Sequence, residues 1–207
     1  MEELRLGFLS SHGGSNMQAI IDACKDGRLN AIPCVVISNN SRSAALKRAR
    51  REGIPGYHMS GTTHPTFELL DRGIVDKLIG HDVNLVILAG YMKLLGHKTV
   101  SRYRGRILNV HPALLPMFGG KGYYGRAVHE AVLAAGEPVT GVTVHLVDDQ
   151  LDHGATVAQC EVPVRDDDTV DSLAERVLVR EHELYVATLQ RIARGELDLG
   201  EIERTSR

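Results

Sequence analysis

The sequence has few cysteines and no excess of charge of either sign. Its three cysteines, Cys24, Cys34 and Cys160, are far apart and lack metal-ligand spacing. This argues against a disulfide framework and predicts buried free thiols in a reducing compartment. The formal net charge of −2 provides no positive field for nucleic acid, so no nucleic-acid partner is expected.

The sequence also has no long apolar run and no signal-like start. The opening residues, MEELRLGFLSSHGG, carry acidic side chains where a secretory signal carries basic ones. Nowhere do about 18 apolar residues follow one another without a charge, so neither a membrane span nor a membrane partner is predicted. We therefore expect a cytoplasmic protein, monomeric or homodimeric, that acts on small molecules.

Short apolar runs alternate with helical patterns in the first half of the 207 residues. The runs LRLGFL, AIPCVVIS, NLVILAG and ILNVH predict strands, and their continuous apolar character is typical of a parallel sheet covered on both faces. Helices are predicted from about Asn16 to Asp26, over SAALKRARREG, and over THPTFELLDRGIVDKLIGHD, where Phe67, Leu70, Ile74 and Leu78 recur at helical spacing.

The second half has a different pattern. The runs VTGVTVHLV and TVAQCEVPV are separated only by DDQLDHGA, which predicts an antiparallel hairpin added to the sheet. A last helix is expected from about Thr169 to Gly195, followed by a frayed polar tail, ERTSR. No repeat or linker divides the chain. The prediction is one α/β domain over residues 1–207, with a doubly wound, Rossmann-like first half and a mixed second half.

The loop SSHGGSN follows the first strand and precedes a helix. Gly13 and Gly14 allow a ligand to approach the backbone, and the helix start offers unpaired amides to an anion such as a phosphate. A capping box formed by Ser15 and Gln18 would by itself also account for the sequence, and it can coexist with anion binding. A dinucleotide site is disfavoured because the third glycine of that motif is missing.

The stretch RILNVHPALLPMFGGKG places an amide and an imidazole two residues apart on a strand. Asn109 and His111 therefore share one face at the strand end. Such a pair can polarise a carbonyl, stabilise an oxyanion and pass a proton. The alternative is that His111 only hydrogen-bonds within the core, while Pro112 and Pro116 shape the turn.

The hairpin bend carries Asp148, Asp149 and Asp152. Aspartate is common in turns because it bonds its own backbone, so the three could be structural. If the hairpin lies beside ILNVH, however, one carboxylate can orient His111, raise its pKa and accept a proton.

One carboxylate interrupts the apolar face of the last helix. Glu181 lies in the middle of a set of mostly apolar residues at helical spacing, namely Val170, Leu173, Ala174, Val177, Leu178, Leu184, Tyr185 and Thr188. A buried carboxylate needs a partner, and a bound cation or amine is one candidate. A salt bridge with an arginine, or an exposed helix edge, would also account for it.

Together these stretches resemble the phosphoribosylglycinamide formyltransferase family. The resemblance rests on LNVHPALLPMFGGKGYYG, GVTVHLVDDQLDHGATVAQ, SSHGGSNMQAI and LAGYMKLL, and extends from about Leu4 to Leu199. It implies the formyltransferase fold and transfer of a formyl group from 10-formyltetrahydrofolate, a co-substrate, to 5-phosphoribosylglycinamide in purine synthesis. It implies no metal.

The resemblance also implies roles for individual residues. Asn109, His111 and Asp152 match the catalytic trio, Gly14, Ser15 and Asn16 match the phosphate loop, and Glu181 matches an acid that contacts the glycinamide. The folate-lining positions are Met92, Lys93, Leu94, Leu95, Asp148 and Asp149. His145 is interpreted as a structural strand residue. Residues 1–100 would then be the phosphate-binding half, and residues 101–200 the catalytic and folate-binding half.

Three rival functions use parts of the same pattern. A formyltetrahydrofolate deformylase would use the same trio, but the first strand is expected too close to Met1 for the extra N-terminal domain of such enzymes. A methionyl-tRNA formyltransferase would need a further C-terminal domain and a basic surface. A noncatalytic nucleotide-binding module would leave Asn109 and His111 without a chemical role.

Overall fold

The computed structural model describes residues 3–205, which form seven strands and seven helices. The strands are β1 (Leu4–Leu9), β2 (Ala31–Ser38), β3 (Gly56–His58), β4 (Leu85–Leu88), β5 (Ile107–His111), β6 (Val139–Leu146) and β7 (Thr156–Pro163). The helices are α1 (Ser15–Lys25), α2 (Ala44–Arg51), α3 (Phe67–Gly80), α4 (His97–Arg102), α5 (Arg126–Ala135), α6 (Val170–Ala193) and α7 (Leu199–Thr205).

All seven strands belong to one sheet in the order β3-β2-β1-β4-β5-β6-β7. The first five pair in parallel, whereas β6 runs antiparallel to β5 and β7 antiparallel to β6. The predicted fold class, a doubly wound parallel sheet with an added hairpin, is confirmed. The carboxyl ends of β1, β4 and β5 are neighbours, and in such sheets ligands bind at that edge.

The two faces of the sheet bury separate apolar clusters because successive side chains on a strand alternate. On β5, Leu108 and Val110 pack with the cluster that α1 and α6 cover. Ile107 belongs to the other cluster, with Ile74 and Leu78 of α3. Asn109 and His111 follow the alternation of Ile107, so both lie on the α3 side of the sheet.

Helix α6 is fixed to the centre of the sheet by one buried hydroxyl. Tyr185 is fully buried and donates a hydrogen bond to the Leu108 carbonyl over 2.9 Å. This bond orients α6 along β5, so Glu181, one turn earlier, lies near the carboxyl edge of the sheet.

Several predicted details are wrong. Of the four apolar residues at helical spacing in α3, Ile74 and Leu78 are buried and Leu70 packs partly buried against the same cluster, but Phe67 is 60% exposed. The tail expected to be frayed is helical as far as Thr205 in α7; its last two residues lie outside the described range. Only Cys34 of the three free thiols is buried.

Helix α4 begins on a carboxylate from α3. Asp71 is buried and accepts hydrogen bonds from the backbone amides of Lys98 (2.8 Å) and Thr99 (3.0 Å), and from the Thr99 hydroxyl. A carboxylate at this position satisfies first-turn amides and interacts favourably with the helix dipole. Among residues 3–205, no helix has the length and apolar character needed to cross a membrane.

Replacing Asp71 with alanine should lower the free energy of unfolding by about 2–4 kcal/mol, because two buried donors on Thr99 and the partly buried Lys98 amide lose their charged acceptor. Urea denaturation measures this change. Asp76→Ala is the matched control, since Asp76 lies on the same helix in an exposed pair with Arg72 and should cost less than about 1 kcal/mol. Equal losses for the two variants would contradict the capping role.

Candidate active site

The antiparallel pairing of β6 with β5 builds the centre of the site. In this register Asn109 lies opposite His145, and His111 lies opposite Thr143. Directly paired residues in an antiparallel sheet have neighbouring side chains. The hairpin therefore lies beside β5, which meets the condition set out from the sequence, and its bend brings Asp152 to His111.

His111 is a buried imidazole with two polar neighbours. It is 4% exposed. Its Nε2 lies 2.7 Å from the Phe118 carbonyl oxygen, and its Nδ1 lies 3.6 Å from Oδ2 of Asp152. The first contact is a hydrogen bond, whereas the second is longer than a hydrogen bond.

Asp152 lies between two imidazoles. Its Oδ1 is 3.6 Å from Nε2 of His145, and its Oδ2 accepts a hydrogen bond from the Gly120 amide over 2.9 Å. The side chain is only 14% exposed. A carboxylate held here can stabilise a proton on either imidazole.

His145 contacts Asn109 and Asp152, although the sequence interpretation placed it outside the site. Its Nδ1–H donates to the Leu146 carbonyl over 2.8 Å, so its Nε2 accepts the Asn109 amide over 3.1 Å. Burial lowers the pKa of His145, against the opposing effects of the Leu146 carbonyl and Asp152. A neutral His145 thus orients Asn109, whose second amide hydrogen remains free for a ligand.

The alternation of β6 is the signal that could have revealed His145. It lies two residues after Thr143, on the strand predicted to be next to Asn109 and His111. Nothing in the sequence, by contrast, indicates the backbone contacts of Phe118 and Gly120, because backbone groups carry no sequence signature.

The loop after β1 presents an uncapped helix start. Gly14 adopts a left-handed conformation (φ 68°) as the N-cap of α1, and no side chain caps the helix. A Cβ on Gly14 would also lie 2.9 Å from that of Ala45. The alternative capping box of Ser15 and Gln18 is therefore wrong, and the first-turn amides remain available to an anion.

Asn16 and Glu181 form a buried pair across α1 and α6. The Asn16 amide donates to Oε2 of Glu181 over 2.6 Å, while Asn16 Oδ1 is buried without a hydrogen-bond partner among residues 3–205. Glu181 is 9% exposed. The structure thus confirms the buried carboxylate but pairs it with an amide, so neither the arginine salt bridge nor the exposed helix edge is correct.

Burial gives Glu181 an unusual protonation equilibrium. It raises the pKa of Glu181 to about 7, against the opposing effect of the Asn16 hydrogen bond. The group therefore exchanges a proton near neutral pH. An incoming ammonium or amine would find in it a buried acceptor, and would satisfy the unpaired Asn16 Oδ1 as well.

The predicted folate-lining residues fall into two groups. Met92, Lys93 and Leu94 are exposed on the loop after β4, and Leu95 is half-buried against the core. Asp148 and Asp149 lie on the hairpin bend, where they pair with His153 (3.0 Å) and His97 (3.7 Å) rather than with His111. Asp148 and Asp149 therefore do not contact the imidazole that Asp152 contacts.

A cavity of about 400 Å³ opens beside the bend. Asp148 and Asp149 line it together with Val100, Leu146 and Val147, but neither the trio nor Met92–Leu95 does. Within residues 3–205, no group of three or more His, Cys, Asp or Glu side chains is placed to hold a metal ion.

The pKa of Glu181 predicts a pH-dependent stability. The pKa of Glu181 in the folded state is above its ordinary value of 4.5. The stabilising contribution of this group to folding is therefore fully present below pH 4.5 and is lost as the pH rises towards 7. Glu181→Gln keeps an acceptor for Asn16 without the charge. Its stability relative to the unsubstituted protein should therefore grow by roughly 3 kcal/mol between about pH 4.5 and pH 8.

Urea unfolding across this pH range measures the difference, with Glu183→Gln as the control because Glu183 is exposed and pairs with Arg180 at the surface. If the profiles of Glu181→Gln and the unsubstituted protein ran parallel, Glu181 would not be the titrating group.

Comparisons with known proteins agree with the fold. The formyl transferase family model matches residues 4–189. The chain is 41% identical over 186 residues to a chloroplastic phosphoribosylglycinamide formyltransferase from Vigna unguiculata, an alignment that covers 90% of this chain and 60% of that protein. It thus spans less than two thirds of the plant relative.

A bacterial relative is matched over nearly its full length. The phosphoribosylglycinamide formyltransferase of Escherichia coli K12 is 37% identical over 198 residues, covering 96% of this chain and 91% of that protein. The crystal structure of glycinamide ribonucleotide transformylase 1 from Symbiobacterium toebii superposes with a TM-score of 0.88 at 38% identity, covering 95% of this chain and 90% of that one. On this evidence the chain belongs to the formyl transferase family.

Proposed function

We propose that the protein transfers the formyl group of 10-formyltetrahydrofolate to the amine of 5-phosphoribosylglycinamide, a step of de novo purine synthesis. The observation that carries the proposal is the convergence of Asn109, His111 and Asp152 at the carboxyl end of β5. The names of the relatives support the choice of substrates.

The ribonucleotide is assigned to the edge formed by β1 and α1. Its phosphate would bind the uncapped first turn of α1 at Gly14, Ser15 and Asn16, where amides and the helix dipole favour an anion. Arg48 donates to the Gly13 carbonyl over 3.0 Å, which places a positive charge beside this loop. The glycinamide end would then contact Glu181.

The folate is assigned to the other side of β5. Met92 and Leu94 expose apolar surface after β4 (44% and 64% exposed). Asp148 and Asp149 supply polar groups on the hairpin bend. These features fit a flat heteroaromatic ring with hydrogen-bonding edges, so the residues present suit the co-substrate.

Formyl transfer requires a neutral amine and a stabilised oxyanion. The amine nitrogen attacks the formyl carbon, and the carbonyl oxygen becomes negatively charged in the tetrahedral intermediate. The free Asn109 amide hydrogen would bond this oxygen, a contribution typically worth about 3 kcal/mol. Glu181, with a pKa of about 7, can accept the ammonium proton of the substrate when it binds.

The intermediate collapses only if a proton moves between two nitrogens. The attacking nitrogen must lose a proton, and the folate nitrogen must gain one as its bond to the formyl carbon breaks. His111 lies next to Asp152, so a positive charge on the imidazole during this exchange is stabilised by the carboxylate.

The first test measures release of tetrahydrofolate from 10-formyltetrahydrofolate, with and without 5-phosphoribosylglycinamide. We expect release only when the ribonucleotide is present. Release without it would identify a hydrolase, and no release under either condition would favour a noncatalytic nucleotide-binding module.

Asp152→Asn should lower kcat by about 10²- to 10⁴-fold while folate binding is retained, because the variant keeps the shape of the side chain but loses the charge that stabilises the imidazolium. Asp82→Asn is the matched control. Asp82 has nearly the same backbone φ (52° against 53°) and lies at the opposite edge of the sheet, paired with Arg5. Parallel loss of binding and turnover in Asp152→Asn would indicate a structural role.

A further inference from the structure

The segment Phe118–Gly120 contacts both titratable members of the trio through its backbone. The Phe118 carbonyl accepts a hydrogen bond from Nε2 of His111 over 2.7 Å, and the Gly120 amide donates to Oδ2 of Asp152 over 2.9 Å. Two successive peptide groups thus hold the imidazole and the carboxylate. No side chain of the segment makes either contact.

The Phe118 contact determines which nitrogen of His111 carries the hydrogen when the imidazole is neutral. A carbonyl oxygen can only accept, so Nε2 must be the donor. Nδ1 then has the lone pair. This nitrogen faces Oδ2 of Asp152 at 3.6 Å.

The Gly120 contact fixes the carboxylate at a distance from Nδ1 that disfavours the competing arrangement. A free carboxylate next to an imidazole would accept a hydrogen bond from Nδ1 and favour the opposite tautomer. Here Oδ2 is bonded to the Gly120 amide, and its distance of 3.6 Å from Nδ1 exceeds that of a hydrogen bond. The segment therefore acts on the tautomer twice, by accepting at Nε2 and by holding the carboxylate away from Nδ1.

We propose that Phe118–Gly120 is a positioning segment that fixes the His111 hydrogen on Nε2 and makes Nδ1 the atom that exchanges the reaction proton. The inference rests on the proposed formyl transfer. Nδ1 takes one proton from the attacking amine nitrogen and gives one to the departing folate nitrogen, whose bond to carbon breaks. The imidazole ends in its starting state, and no other reactant is needed.

The segment is held in a conformation that most residues avoid. Phe118 has a φ of 53° and Gly120 a φ of 87°. The residues that precede the segment are held by the Thr143 hydroxyl, which donates to the Ala113 carbonyl (2.7 Å) and accepts from the Leu115 amide (3.0 Å). Gln159 strengthens this anchor by donating to the Thr143 hydroxyl and to the Leu115 carbonyl.

The direct test is ¹⁵N NMR of histidine-labelled protein at a pH at which His111 is neutral, with its resonances assigned by their loss in His111→Asn. We expect a hydrogen-bearing Nε2 and an unprotonated Nδ1. A hydrogen on Nδ1 in the unsubstituted protein would overturn the proposal. Because the NMR measurement requires no turnover, it tests the His111 tautomer independently of the proposed reaction.

The second test moves the segment. Gly120→Ala places a side chain at φ 87°, and the added Cβ meets no atom within 4 Å, so the substitution acts through backbone strain alone. We expect a mixture of His111 tautomers and a kcat lower by about 10- to 100-fold with little change in KM. An unchanged tautomer and an unchanged kcat would overturn the proposal.

Gly122→Ala is the matched control. Gly122 has a φ of 96°, and its Cβ would also meet nothing within 4 Å, but its amide does not contact Asp152. We expect this variant to keep the tautomer of the unsubstituted protein. The same tautomer change in both variants would show that strain anywhere in the loop is sufficient and would overturn the assignment to Phe118–Gly120. Circular dichroism confirms that each variant is folded.

Discussion

The antiparallel pairing of β6 with β5 is the constraint on which the rest of the site depends. Five strands, β3, β2, β1, β4 and β5, run in parallel and are joined by crossovers, whereas β6 runs in the opposite direction. In that direction its residues lie directly opposite those of β5, and the bend after it returns over the same face. His145 and Asp152 therefore reach Asn109 and His111 without a long active-site loop.

This arrangement buries polar groups that a core would otherwise exclude. His111, His145 and Glu181 are each less than a tenth exposed. Each has a specific hydrogen-bond partner, which offsets much of the desolvation cost, but the offset is incomplete at Glu181, whose pKa is raised to about 7 by burial. The protein thus retains a destabilising carboxylate at neutral pH, as expected where a residue serves a ligand rather than the fold.

The sequence predicted the sheet class, because strand periodicity and the short hairpin bend determine topology, whereas the trio was predicted from the family resemblance. It did not predict β3, α4, α5 or α7, which are short or lie within irregular segments. Nor could it show that His145 bonds Asn109, or that the peptides of Phe118 and Gly120 hold His111 and Asp152. Those contacts depend on the exact path of the backbone, which side-chain patterns do not encode.

Sheet order also accounts for how two substrates could meet at one residue. β1 and β5 are separated only by β4, so the carboxyl ends of these two strands lie about 10 Å apart, or two strand spacings. A phosphorylated ribose that carries a glycinamide is about that long. With its phosphate at α1, its amine would extend past the buried Asn16–Glu181 pair towards His111, and the opposite side of β5 would be left for the formyl donor. The strand order thereby separates the two proposed binding regions while keeping the reacting atoms together.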